Sequence, residues 1–161
     1  MIQKKVAIIG ATGVGKTSLI RQYVEGIFSE KYLTSIGVKI DKKLIELESK
    51  KVQFMIWDIE GIDQFSSFNT KYLRGTSGVI IVADVTRSSS FNEASTILLD
   101  VKKQLDIPCI LACNKTDLTE LPTDDTLKET TEKFNFVYET SAKTGKNVEA
   151  MFYQLATAVC E

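Results

Sequence analysis

Short apolar runs rich in β-branched residues recur along the chain at positions 6–9, 52–57, 79–83, 109–113 and 136–138. They show little polar alternation, which predicts strands buried on both faces rather than on one. Segments with helical spacing lie between most of them. The clearest is the last, where Val148, Met151, Phe152, Leu155, Ala156 and Val159 fall on one face after Asn147, a residue suited to an N-cap. Leu19, Ile20, Tyr23 and Val24 mark another helix near the start. Alternating strands and helices predict a parallel sheet covered on both sides.

Positions 38–47 break the pattern. Lys39, Asp41, Lys42 and Lys43 interrupt the apolar residues, and a polar stretch at 48–51 leads into the next run. That combination predicts a charge-protected edge strand in an antiparallel hairpin. No repeat, low-complexity tract or Gly/Pro-rich linker divides the chain, which has only two prolines. The expectation is therefore one α/β domain over 1–161: a mostly parallel six-stranded sheet with one antiparallel edge strand and helices on both faces.

Composition narrows the chemistry by exclusion. A chain of 161 residues buries a sizeable core without disulfides. Its net charge of −1 gives no electrostatic reason to expect a nucleic-acid partner. It has no histidine, so the commonest metal ligand and the commonest general base are both missing. Cys109, Cys113 and Cys160 are odd in number and lack framework spacing, which points to a reducing, cytoplasmic setting. The first two sit in an apolar run and read as core. The charged start leads at once into a strand, unlike a signal or transit peptide, and no apolar run approaches the roughly 18 residues of a membrane span.

Directly after the first run stands Gly10-Ala11-Thr12-Gly13-Val14-Gly15-Lys16-Thr17, a match to G-x-x-x-x-G-K-[ST] between a predicted strand and a predicted helix. Glycines let the backbone turn its N–H groups toward phosphate oxygens, and the following helix presents its positive end to the same anion. Lys16 then reaches the β- and γ-phosphates, and the Thr17 hydroxyl suits Mg²⁺. A P-loop (phosphate-binding loop) alone does not select a purine. Asn114-Lys115-Thr116-Asp117 does so, following the run at 109–113 where an open α/β sheet binds its ligand. An aspartate there accepts two hydrogen bonds from the N1–H and N2–H₂ edge of guanine, an edge adenine lacks.

With these motifs the sequence resembles the Ras superfamily of small GTPases, and within it the Rab branch, over nearly its whole length. The landmarks follow the family's order: the P-loop, a switch-like stretch at 28–37, Trp57-Asp58-Ile59-Glu60-Gly61, Asn114 to Asp117, and Glu139-Thr140-Ser141-Ala142-Lys143. Ser35-Ile36-Gly37-Val38, and Asp84-Val85-Thr86 followed by Ser90-Phe91, carry the Rab likeness. The resemblance implies GTP or GDP as ligand with Mg²⁺. It implies nucleotide contacts from Gly13, Val14, Gly15, Lys16, Thr17, Ser18, Phe28, Ser35, Gly61, Asn114, Lys115, Asp117, Ser141, Ala142 and Lys143. Phe28 and Lys115 would flank the base, the Ala142 amide would reach its O6 atom, and the Gly61 amide would touch the γ-phosphate. Thr17 and Ser35 would hold the metal directly, and Asp58 through water. Effector, exchange-factor and GTPase-activating proteins would bind through segments 28–38 and 60–73, where Ile36, Ile62, Phe65 and Tyr72 are candidates either for effector contact or for packing. A monomer is the expected state. The chain ends at Val159-Cys160-Glu161 without a C-a-a-X box, so contact with cytosolic membrane faces would need a lipidated tail outside this sequence.

Three departures bear on mechanism. Ser35 stands where the family has a metal-binding threonine, with Thr34 adjacent, and serine restricts its side chain less. Thr12 occupies a position that is glycine in Ras. Most consequentially, Asp-Thr-Ala-Gly-Gln reads Asp58-Ile59-Glu60-Gly61-Ile62 here, so an isoleucine replaces the glutamine that positions water. No arginine falls within segments 28–38 or 60–73 to act in cis. Catalysis is assigned to Lys16, Ser35 and Gly61, with slow hydrolysis expected at Ile62 unless Glu60 or Gln64 substitutes. A competing reading is a pseudo-GTPase that holds GTP as a scaffold. A P-loop nucleotide kinase fits less well, because no arginine-rich lid follows.

Overall fold

Every residue of the run from Val79 to Ala83 is buried, and its neighbours along the strand point to opposite layers. Ile80 and Val82 join one core, Val79, Ile81 and Ala83 the other. This double burial is the reason the strand shows no polar alternation. The computed structural model describes residues 1–26, 38–59 and 70–161. Its elements are β1 (Ile2–Gly10), α1 (Lys16–Glu25), β2 (Val38–Glu46), β3 (Lys51–Ile59), a 3₁₀ turn (Thr70–Leu73), β4 (Thr76–Asp84), α2 (Ser89–Lys102), β5 (Cys109–Asn114), α3 (Asp125–Thr131), β6 (Phe136–Glu139) and α4 (Val148–Val159).

The six strands form one sheet in the order β2-β3-β1-β4-β5-β6. All neighbours pair in parallel except β2 and β3, which form the expected antiparallel hairpin, closed where Leu47 N–H donates to Lys50 O at 2.9 Å. Helices α1 and α4 pack on one face around Phe54, Ile56 and Phe152, with the Tyr23 and Phe152 rings stacked at 3.9 Å. Helix α2 covers the other face through Phe91, Ile97, Leu98 and Val101. The α2 layer packs on β4 and β1. Beyond it, on the same side of the sheet, Ile40 and Leu44 of β2 remain 45% and 46% exposed. Because five strands are parallel, the ends at Gly10, Ile59, Asp84, Asn114 and Glu139 gather along one edge, where open α/β sheets bind ligands. Among the described residues, no helix is long and apolar enough to cross a membrane.

Three local expectations are corrected. The run at 52–57 is fully buried on one face only: Val52, Phe54 and Ile56 are buried, while Gln53, Met55 and Trp57 between them are half-buried, because the layer over α2's side of the sheet does not reach β3 fully. The run at 136–138 is not buried on both faces. It lies in the four-residue edge strand β6, which alternates between half-buried and exposed positions, with Val137 39% exposed. Three residues are too few to separate a one-sided strand from a two-sided one. Asn147 does stand before α4, but in a left-handed conformation (φ 58°) and without a capping bond. Its Nδ2 donates instead to Glu139 O at 2.9 Å, tying the helix start to the end of β6.

Cys109 and Cys113 are core residues, as their setting predicts. Burial raises both thiols, to about 11 for Cys109 and about 12 for Cys113, whereas Cys160 is only partly buried. Thiolate is the reactive form, so the two core thiols should be inert at pH 8. An aromatic disulfide reagent should therefore titrate one thiol per native chain and three in denaturant. A second fast-reacting native thiol would contradict this packing.

Candidate functional site

At the end of β1 the chain must pass under Val82, and a Cβ on Gly10 would lie 2.8 Å from both Val82 O and Val14 Cγ2. The loop then turns through Gly13 (φ 83°) and Gly15 (φ 101°) before α1 opens at Lys16. Only glycine adopts such a backbone at Gly15 without strain, and a side chain there would also collide with the Asn114 amide. Glycine in the N-cap position offers no side-chain cap, so the N–H groups opening α1 look out from the loop as a ready anion site.

The outer side of the loop is held by three consecutive hydrogen bonds. Arg87 Nη1 donates to Thr12 O at 3.0 Å, Lys115 Nζ to Gly13 O at 2.8 Å, and Asn114 Nδ2 to Val14 O at 3.0 Å. In a trans peptide the N–H lies opposite the C=O. Fixing those carbonyls outward therefore turns the Gly13, Val14 and Gly15 amides the other way. The Val14 N–H meanwhile donates a long hydrogen bond of 3.4 Å to Ala11 O across the loop.

Beside the start of α1, Lys16, Thr17 and Asp58 converge. Thr17 Oγ1 donates to Asp58 Oδ2 at 2.8 Å, and Lys16 Nζ stands 3.4 Å from Asp58 Oδ1. Lys16 is 8% exposed and Asp58 1%. A hydroxyl and a carboxylate oxygen so close together are hard donors of the kind Mg²⁺ takes. Among the described residues no three acidic, Cys or His side chains cluster to hold a metal. The Thr17 hydroxyl and the Asp58 carboxylate fit part of a Mg²⁺ shell, with the other ligands left to groups such as phosphate and water and to residues outside those described.

The residues that the sequence assigns to the purine stand at the tips of β5 and β6. Asn114 is buried; its Oδ1 accepts the Thr140 hydroxyl at 3.1 Å while its Nδ2 holds Val14, so it braces two loops. Lys115 sits at φ 71°, a strained conformation for a non-glycine residue, and its ammonium bridges Gly13 O and Asp84 Oδ2, the latter at 2.9 Å. Asp117 is exposed, with Oδ1 accepting the Ser141 hydroxyl at 2.8 Å. Gly145 N–H caps Ser141 O at 2.9 Å, which turns the Ala142 amide away, and Gln22 Nε2 holds Ala142 O at 2.8 Å. Ser18 lies in the first turn of α1, and Lys143 is exposed beside Ala142.

The structure thus brings Gly13 to Ser18, Asp58, Asn114 to Asp117 and Ser141 to Lys143 to one edge of the sheet. Phe28, Thr34, Ser35, Ile36, Gly37, Glu60, Gly61, Ile62, Gln64 and Phe65 lie outside the described residues. Tyr72 is half-buried, its ring centroid 6.5 Å from that of Trp57, over which Lys5 Nζ sits at 3.9 Å.

Four residues here receive no site role from the sequence: Gln22 and Arg87, which it passes over, and Asp84 and Thr140, which it names only as parts of motifs. Asp84 carries a signal in retrospect, being a polar residue at the carboxyl end of a fully apolar run, as Asn114 is. Burial acts to raise its carboxyl. Bonds from Lys115, from the Thr86 hydroxyl (2.6 Å) and from the Thr86 amide (2.8 Å) outweigh burial and hold it below the ordinary carboxylate value. Arg87 carries no pattern signal at all.

The sequence model of the Ras family matches residues 5–161. A Ras-related protein, RAB1BV of Beta vulgaris, is 35% identical over 158 residues, covering 94% of this chain and 74% of the relative.

An acid whose folded-state pKa lies below its unfolded value adds stability at higher pH and loses it as pH falls through the lower value. Asp84→Asn should therefore cost about 1–3 kcal/mol in urea unfolding at pH 7, where it leaves Lys115 without its anion. The gap to the parent should narrow below the ordinary value of 3.8. A gap that stays constant from pH 7 to pH 3 would show that the Asp84 charge contributes nothing.

Proposed function

We propose, from the premise that this chain belongs to the Ras family, that it is a Rab-like guanine-nucleotide switch whose own hydrolysis is slow. Membership makes it a small GTPase; the finer reading concerns rate, ligand geometry and readout. The observation that carries it is the loop of three outward-held carbonyls, with Lys16, Thr17 and Asp58 on one side and the Asp117–Ser141 pair on the other.

In this reading the Gly13, Val14 and Gly15 amides and the start of α1 bind the phosphates, and Lys16 neutralises the β- and γ-oxygens. Thr17 and Asp58 are the residues that would hold Mg²⁺, whose charge when bound offsets that of the phosphates. The Ser141 hydroxyl orients the Asp117 carboxylate to accept the N1–H and N2–H₂ groups of guanine. ATP would leave that carboxylate without donors, so calorimetry in Mg²⁺ should show GTP and GDP binding on the order of a hundredfold or more tighter than ATP. Equal affinities would refute the purine assignment.

Contacts from Ser35 and Gly61 to the γ-phosphate would order segments 28–38 and 60–73, so that nucleotide state becomes surface shape. Effectors and regulators would read those segments together with the neighbouring open face of Ile40, Leu44, Trp57 and Tyr72. The Rab likeness supports a role in trafficking or signalling, at cytosolic membrane faces if a lipidated tail lies outside this sequence.

Ile62 carries no hydrogen-bonding group, so water is left unpositioned at the step where positioning dominates. Single-turnover hydrolysis should be slow, and Ile62→Gln should accelerate it on the order of tenfold or more. An unchanged rate would mean that a neighbour such as Glu60 or Gln64 already orients the water. No phosphate release from either protein, even with candidate activating proteins, would favour the GTP-bound scaffold.

A further inference from the structure

Of the three donors that hold the outer side of the P-loop, Asn114 and Lys115 belong to the guanine-recognition segment. The third comes from elsewhere. Arg87 lies in the turn between β4 and α2. While Nη1 donates to Thr12 O at 3.0 Å, Nη2 stands 3.6 Å from Glu93 Oε2 on α2. The backbone beneath it is closely fixed. Arg87 N–H donates to Asp84 O at 3.0 Å, and Arg87 O accepts the Ser90 amide at 3.0 Å and the Ser90 hydroxyl at 2.7 Å. The turn is thus rigid and stands beside the loop, and the guanidinium spans the gap.

We propose that Arg87 is a positioning residue for the nucleotide phosphates: by holding the Thr12 carbonyl outward it aims the Gly13 amide into the cradle. The inference rests on reading this loop as a phosphate cradle. The peptide joining Thr12 to Gly13 is planar and trans, so its two polar ends cannot be set separately. Of the three gripped peptides it also has the least packing around it. The Val14 side chain is fully buried, whereas the Thr12 side chain is exposed and Gly13 has no side chain to anchor. Gly13 at φ 83° stands in a backbone region from which glycine rotates cheaply. A hydrogen bond from a planar, permanently charged donor therefore matters more here than at Val14. Glu93 stands 3.6 Å from the other arm of the fork as a partly exposed ion pair, which biases the guanidinium toward this side without gripping it. A lysine could reach the Thr12 carbonyl, but a single ammonium cannot keep both partners in the same geometry.

The test is release of fluorescent GDP and of a non-hydrolysable GTP analogue from the full chain in Mg²⁺, by stopped flow. It compares the parent with Arg87→Ala, Arg87→Lys and Glu93→Gln, alongside thermal unfolding of each protein stripped of nucleotide. Arg87→Ala should release both nucleotides roughly fivefold faster, the loss expected for one partly exposed hydrogen bond. Arg87→Lys should fall between parent and Arg87→Ala, Glu93→Gln should shift the rate in the same direction by less, and the stripped proteins should melt together. Release rates for Arg87→Ala within twofold of the parent would overturn the inference. So would a lowered melting point of the stripped Arg87→Ala protein with no rescue by lysine, which would make the contact merely structural. A parent that binds neither nucleotide would sink the cradle reading and this inference with it. A parent that binds, with variants that match it, would sink this inference alone.

Discussion

A planar peptide cannot send its N–H inward without sending its C=O outward, and a loop that collects amides around an anion must therefore find partners for its outer carbonyls. Here side chains supply those partners from beyond the loop itself. Arg87 arrives from the end of β4, and Lys115 and Asn114 from the end of β5. The sheet order makes this possible, because β1 lies next to β4 and β4 next to β5. Parallel strands bring all three tips to the same edge. The doubly buried core, which holds those tips in register, is thus the condition for a shaped loop as well as a source of stability.

Much of this architecture was legible in the sequence because its causes are local or periodic. Unbroken apolar runs such as 79–83 reported strands buried on both sides, and the charges at 39–43 reported an edge. The P-loop was legible for a stronger reason: its glycines answer to backbone geometry at single positions, and Gly15 shows why, with a left-handed backbone pressed against Asn114. Asn147 misled because the same short polar side chain that caps helices can also brace a neighbouring strand end, and the choice depends on where Glu139 lies. Phe136 to Tyr138 misled because three residues cannot display a period of two.

What stayed hidden was long-range. Nothing near Arg87 in the sequence says that Thr12, 75 positions earlier, lies within its reach. Asp84 was visible as part of a family likeness, but its work as the anion that seats Lys115 depends on two strand tips meeting. Asp84, Lys115 and Gly13 form a chain of contacts whose members are each unremarkable in composition. Their meaning comes only from adjacency at the carboxyl edge of the sheet.

The sharing of Asn114 and Lys115 between two tasks has a consequence for how such a chain can vary. The segment that precedes Asp117, the residue proposed to read the purine, is also the outer clamp of the P-loop, so in that reading drift there is felt at both ends of the ligand at once. A lineage exploring a new base would find Asp117 and Ser141 freer to change than the two residues beside them. Substitutions at Asn114 or Lys115 would need a compensating donor for Val14 or Gly13 before they could persist. Variation should accordingly concentrate at the rim of the base pocket, while the clamp stays fixed even in relatives whose ligand preference has moved.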